Sequence, residues 1–120
     1  MYDVFKGVRI LEVASWTFVP TCGALCADWG AEVIKIEPPN GGDPQRAKFS
    51  DELKDQSAQV MIDLPNRGKR SVALDMRAEQ GRQVMKRLVG SADVLITNYL
   101  PAVRKRLGID TPSLDRKSVV

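Results

Sequence analysis

The 120-residue sequence predicts an α/β fold, a parallel sheet covered by helices. Three observations lead there. Short apolar runs rich in branched residues recur at residues 7–13, 31–37, 71–76 and 92–98. Helix-length segments separate the first pair of runs and the last pair. The first strand, helix and second strand together occupy about 30 residues, the size of a βαβ unit, whose right-handed crossover leaves its two strands parallel.

"GVRILEV", residues 7–13, reads as a buried strand. "PTCGALCADWG", residues 20–30, reads as a helix: Pro20 suits a first turn and Gly30 the position just past the end. Its small residues Gly23, Ala24 and Ala27 allow close approach to a sheet. "AEVIKIE", residues 31–37, is the second strand. Between Pro38 and Pro65 the pattern breaks, and "EPPNGGDPQR" reads as loop. Val60 to Ile62 is one short apolar patch there, a single helical turn or an irregular segment. So long a connection in a compact domain is often functional. "SVALDM", residues 71–76, is the third strand, and residues 77–90 form the next helix, with an apolar stripe of Val84, Met85, Leu88 and Val89. Glu79 near its start and Lys86 and Arg87 near its end suit the helix dipole, and Gly90 is a natural terminator. "ADVLITN", residues 92–98, is the fourth strand, followed by a short helix over residues 101–108. Residues 109–120 give no assignment.

Composition narrows the function. Hydrophobic residues make up 43% and charged residues 28%, ordinary for a globular protein, and one domain of this size buries a real core. No apolar run is long enough to span a bilayer, and the first residues lack the form of a signal peptide, so a cytoplasmic protein without membrane contact is expected. Eighteen cations and fifteen anions give a net charge of +3, spread along the chain. No basic stripe with interleaved aromatics points to nucleic acid. Cys22 and Cys26 share a helix face and read as core packing. With no histidine in the chain, a structural zinc site, a His-dependent triad and a His general base are all disfavoured, and no metal is expected.

Ligands of open α/β sheets bind beyond the carboxyl ends of the strands. Residues 14–19, 37–39, 76–77 and 98–100 arrive there. Glu37 ends the second strand, where dinucleotide folds often carry an acid for the ribose. However, the first turn, "ASWTFVPTCG", has none of the glycines that bring a backbone to a pyrophosphate, so NAD is not expected; "GGDPQR" likewise lacks the end of a phosphate-binding P-loop. Trp16 and Phe18 read as buried aromatics or as the lining of a ligand cleft. Lys69 and Arg70 read as solvated turn residues, and Asn98 as a strand-end cap or a contact.

Four motifs in order go further: "GVRILEVASWTFVPTCGALCADWGAEVIKIEPP", "GDPQR", "NRGKRSVALDM" and "ADVLITNYLPAVRKRLGI". Together they resemble the family III CoA-transferases, a family that includes formyl-CoA transferase, carnitine CoA-transferase and the α-methylacyl-CoA racemases. The resemblance spans residues 5–109. It implies a Rossmann-like parallel sheet with flanking helices. Residues 1–120 would form the N-terminal part of the CoA-binding large domain, with the small domain and the C-terminal return absent. Two full-length subunits would interlock as a homodimer. The resemblance places coenzyme A or an acyl-CoA, as substrate, against Thr17 and Phe18 of the first turn and against Leu74, Asp75, Met76 and Arg77 after the third strand. It adds Asn98, Tyr99 and Leu100 after the fourth strand and Arg106 in the next helix. Asn98, Tyr99 and Arg77 are expected to converge beside the adenine and its ribose phosphate. The basic residue common after the second strand is replaced here by Pro38. Where many members read "NFRPG" this chain reads "NYLPA", so Leu100 lacks a cation and Ala102 replaces a glycine.

The resemblance also implies the chemistry. In the transferases an aspartate attacks the acyl-CoA thioester, giving a mixed anhydride and then an enzyme-bound CoA thioester. The racemases use a His/Asp pair on the α-proton. In both branches these groups lie beyond position 109, so no catalytic residue is assigned and the 120-residue chain is expected to be inactive alone. A stand-alone nucleotide-binding or interaction module is the alternative from another class.

Overall fold

The computed structural model describes residues 2–50 and 59–114. Four strands pair in parallel in the order β3-β2-β1-β4: β1 is Arg9–Val13, β2 Glu32–Glu37, β3 Arg70–Ala73 and β4 Val94–Thr97. Register follows the apolar pattern, since Leu11 pairs with Ile34 on one side and with Leu95 on the other. The central strands β1 and β2 are buried almost throughout, as their continuous branched apolar runs require.

The strand period of two sorts the side chains onto two faces. Leu11, Val13, Ile34 and Ile36 form the larger core with Met76, Met85 and Ile109. The helix α4, Glu79–Gly90, contributes Met85, Leu88 and Val89 to it. Each large apolar side chain so buried contributes about 1.5–3 kcal/mol. On the other face, Ile10 and Val33 pack with Phe5, Cys26 and Ala27, beneath α1, Phe18–Asp28. Two residues further along the same face, period two replaces apolar side chains by charged ones: Glu12 on β1, then Lys35 and Glu37 on β2. All three are buried.

Several elements depart from the sequence expectation. α1 begins two residues before Pro20, so Pro20 stands inside the first turn, and Gly30 does follow the helix in a left-handed conformation (φ 97°). β3 ends at Ala73, three residues short of the expected Met76; one further bond, Leu74 N–H to Glu37 O at 2.8 Å, extends the pairing. α4 starts at Glu79 and runs through Gly90. It is finished by Ser91, whose hydroxyl donates to Leu88 O at 2.8 Å, so Gly90 is not the left-handed terminator.

The expected loop over residues 38–65 is partly helical. It holds α2, Pro44–Ser50, then α3, Val60–Asp63, and a 3₁₀ turn over Leu64–Asn66; residues 51–58 lie outside the described residues. The signal for α2 was present. Asp43 before Pro44 is an N-cap acid before an N1 proline, and its Oδ1 accepts the Gln45 N–H at 3.0 Å. α5 is Pro101–Leu107, closed by Gly108 at φ 70°. α6, Thr111–Leu114, starts after Asp110 in the tail that carried no assignment; residues 115–120 lie outside the described residues. Among the described residues no helix is long and apolar enough to cross a membrane.

Candidate functional site

The sheet order places a topological switch between β1 and β4. From β1 the chain moves one way to β2 and β3, then returns to lay β4 on the opposite side of β1. At such a point the loops after two neighbouring strands part and leave a crevice. Here a cleft of about 340 Å³ lies there, lined by Ser15, Trp16, Pro44, Asn98, Tyr99, Leu100 and Val103. A larger hollow of about 620 Å³ runs past Leu95, Thr97, Arg104 and Ile109. It contains none of the residues expected to meet a ligand and does not sit at the switch.

The cleft's floor is stitched by Asn98. Its Oδ1 accepts the Ser15 N–H at 3.2 Å and its Nδ2 donates to Ser15 O at 2.7 Å. Tyr99 adds a hydroxyl contact to Ser15 Oγ at 3.2 Å. The amide of Asn98 is thus spent on the first turn, as a bridge between β1 and β4. Leu100, 72% exposed, stands at the rim, where a cation in its place would face solvent. Trp16 and Phe18, 46% and 91% exposed, are not the buried aromatics that packing alone would give; Trp16 lines the cleft.

The other expected contacts are distributed. Thr17 is the N-cap residue of α1, and its Oγ1 accepts from Gln45 Nε2 at 3.1 Å. Leu74 and Met76 turn into the larger core. Asp75 accepts the backbone N–H of Arg77 at 3.0 Å and its Nε at 3.3 Å, which holds the Asp75 carboxyl below the usual range, the backbone bond being the larger cause. Arg77 is exposed, and so is Arg106 in the last turn of α5. Arg77 follows β3, whereas Asn98 and Tyr99 follow β4. β3 and β4 are the sheet's two edges, three strand spacings apart, about 14 Å at the level of the sheet.

Behind the first turn lies a buried polar network that the sequence reading missed. Lys69 was expected in solvent; instead its side chain is 2% exposed and its Nζ donates to Glu12 Oε2 at 2.6 Å and Pro20 O at 2.7 Å. Lys35 Nζ lies 3.4 Å from Glu12 Oε1 and 2.8 Å from Asp43 Oδ2. Glu37 accepts from the Asp43 N–H at 2.9 Å and from Arg46 Nη2 at 2.9 Å. Glu37 is therefore engaged by protein groups, not open to a ribose. Burial pushes the Glu12 carboxyl up, and its two lysines offset this only in part. Burial likewise pushes Lys69 down against the pull of Glu12. For Glu37 burial pushes up, but Arg46 and the Asp43 amide outweigh it, and the net shift is downward. Cys22 is exposed, contrary to the core reading, and Cys26 is half-buried.

Beyond geometry, a profile of CoA-transferase family III matches residues 5–118. The chain belongs to that family. Among its relatives is the cinnamoyl-CoA:phenyllactate CoA-transferase of Clostridium sporogenes, 34% identical over 96% of this chain and 28% of the relative. The formyl-CoA:oxalate CoA-transferase of Rhodopseudomonas palustris strain HaA2 is 39% identical over 90% of this chain and 25% of its own length. Solved structures superpose well on this chain. A hypothetical protein of Mycobacterium tuberculosis gives a TM-score of 0.82 at 33% identity, covering 93% of this chain and 30% of that one. A CAIB/BAIF family protein of Brucella suis gives 0.74 at 31% identity, covering 99% and 31%. The chain thus spans about a quarter of the length of the curated family members it matches.

Proposed function

We propose that this chain is the N-terminal part of the large domain of an acyl-CoA:carboxylate CoA-transferase, and that it binds the CoA nucleotide at the carboxyl edge of the sheet. The observation that carries the reading is the cleft at the β1–β4 switch in a chain of this family. The relatives described above are CoA-transferases, which supports acyl transfer over α-proton exchange.

The contacts would act along an extended ligand. Asn98, Tyr99 and Leu100 flank the cleft, with Thr17 and Phe18 on the first turn beside it. Leu74 to Arg77 stand at the far edge, and Arg106 lies on α5. CoA is long enough to reach from one edge of the sheet towards the other, and its phosphates suit the exposed guanidinium of Arg77. In the whole enzyme an aspartate elsewhere would attack the thioester, pass through a mixed anhydride, and hold CoA as an aspartyl thioester. The environments of two aspartates here support placing it elsewhere: Asp43 is fully buried against Lys35, and Asp75 is held by Arg77. The resemblance puts the attacking aspartate beyond position 109, so the 120-residue chain alone would not turn over.

Titration calorimetry with CoA tests the binding role. Arg77→Ala should weaken CoA by about 1–3 kcal/mol, the scale of a charge-assisted hydrogen bond, and NAD should not compete. An unchanged affinity would remove Arg77 from the site, and turnover by this chain above a blank would place the nucleophile within it.

A further inference from the structure

Among the described residues Trp16 is the one non-glycine residue in the left-handed region, at φ 72°. A residue with a large side chain stays there only where its surroundings over-determine it. Two clamps do so. From β4, the Asn98 amide brackets the backbone of Ser15. From the start of α2, Asp43 Oδ1 accepts the Trp16 N–H at 3.1 Å.

Asp43 is itself fixed on every side. The same Oδ1 accepts the Gln45 N–H at 3.0 Å. Its Oδ2 faces Lys35 Nζ at 2.8 Å, with both side chains almost fully buried. Its own N–H donates to Glu37 Oε2 at 2.9 Å. Gly42 just before it is required, because a Cβ there would press on Glu37 Oε2 and Arg46. The arrangement calls for a carboxylate. One oxygen receives two N–H groups and the other an ammonium, and an ionised carboxylate accepts at both. An amide would turn an NH2 group toward the Lys35 ammonium.

We propose that Asp43 is the positioning residue of the cleft, holding the Trp16 turn and the Pro44 wall in the shape that seats the ligand. Ser15, Trp16, Pro44 and Asn98 all line the cleft, so its lining consists largely of the two clamps and what they hold. Only the identity of the ligand rests on the CoA reading above.

The test uses the full 120-residue chain. The chain has two tryptophans, so a Trp29→Phe background leaves Trp16 as the sole indole reporter. Trp16 emission and its quenching by acrylamide are read beside CoA affinity by calorimetry. Asp43→Asn should increase quenching and weaken CoA about tenfold, as a ligand-competent turn becomes a minor population. Should that variant not fold, Asp43→Glu, which keeps a negative charge opposite Lys35 while displacing the acceptor from Trp16, is expected to give the same two changes. A lower melting temperature with Trp16 emission and CoA affinity both unchanged would reduce Asp43 to a buried ion pair and overturn the proposal. If the parent protein binds no CoA, the CoA reading fails separately. Trp16 then decides alone: increased quenching supports the brace, and an unaltered signal overturns it.

Discussion

Lys69 shows how much one side chain can depend on a distant partner. Its neighbours in "NRGKRS" are polar, and locally it reads as part of a hydrated turn. Its actual partner, Glu12, is 57 residues away in sequence. Gly23 makes the meeting possible, because any Cβ there would collide with the Glu12 carboxylate. Two lysines share Glu12 in a buried site, so removing one leaves a buried charge undercompensated. Lys69→Ala should destabilise the protein by about 3–5 kcal/mol in a denaturant melt. Replacing Glu12 and Lys69 together by apolar residues of similar volume should recover most of that loss. A Lys69→Ala variant as stable as the parent would show that Lys35 alone compensates the Glu12 charge.

The element that most changes the sequence reading is α2 with its preceding "GGD". Read as loop, it proved to be a capped helix whose first turn braces the candidate site, with Glu37 and Arg46 joining β2 to it. That junction makes an acid-side prediction. The Glu37 carboxyl titrates below its ordinary value in the folded state. A depressed value means stability that is fully present above the ordinary glutamate pKa, about 4.3, and lost as pH falls through the lowered one. Arg46→Leu should flatten the decline of melting temperature below that pH, because the folded and unfolded values of Glu37 then move together. Glu12 has the opposite sign. Its raised value gives a contribution present below the ordinary glutamate pKa and lost as pH rises through the raised one, so its effect does not mimic that of Glu37. Identical acid-side slopes in parent and variant would show that Arg46 does not set the Glu37 titration.

At the scale of the molecule, apolar side chains remain in water. Leu25 and Trp29 on or beside α1 and Val60, Met61 and Leu64 around α3 are exposed, and α1 packs closely on the 3₁₀ turn that carries Leu64. Such apolar surface on a folded unit usually marks a covered face. We expect it to be buried against a second copy or against further polypeptide, an isologous dimer being the commonest way to cover it. Sedimentation of the 120-residue chain checks this: self-association is expected. A well-folded monomer at high concentration would show a self-sufficient domain.

The sequence alone was enough for the four parallel strands and for α1, α4 and α5, because strand and helix periods are local properties of an apolar pattern. Ordered motifs were enough for the family. Element ends were less legible: β3 stops at Ala73 because Leu74 and Met76 turn into the core, a choice made by packing. For the candidate site, the sequence named the segments that reach the cleft but not their roles there. Asn98 became a staple for Ser15, Glu37 a brace for Arg46, and Lys69 a buried partner of Glu12. Asp43, which holds Trp16, was passed over because its cap signal stood in a segment read as loop. The physical reason is common to all of these. A buried charge or a left-handed tryptophan is tolerable only when partners from distant segments surround it, and only the sheet order β3-β2-β1-β4 brings those segments together.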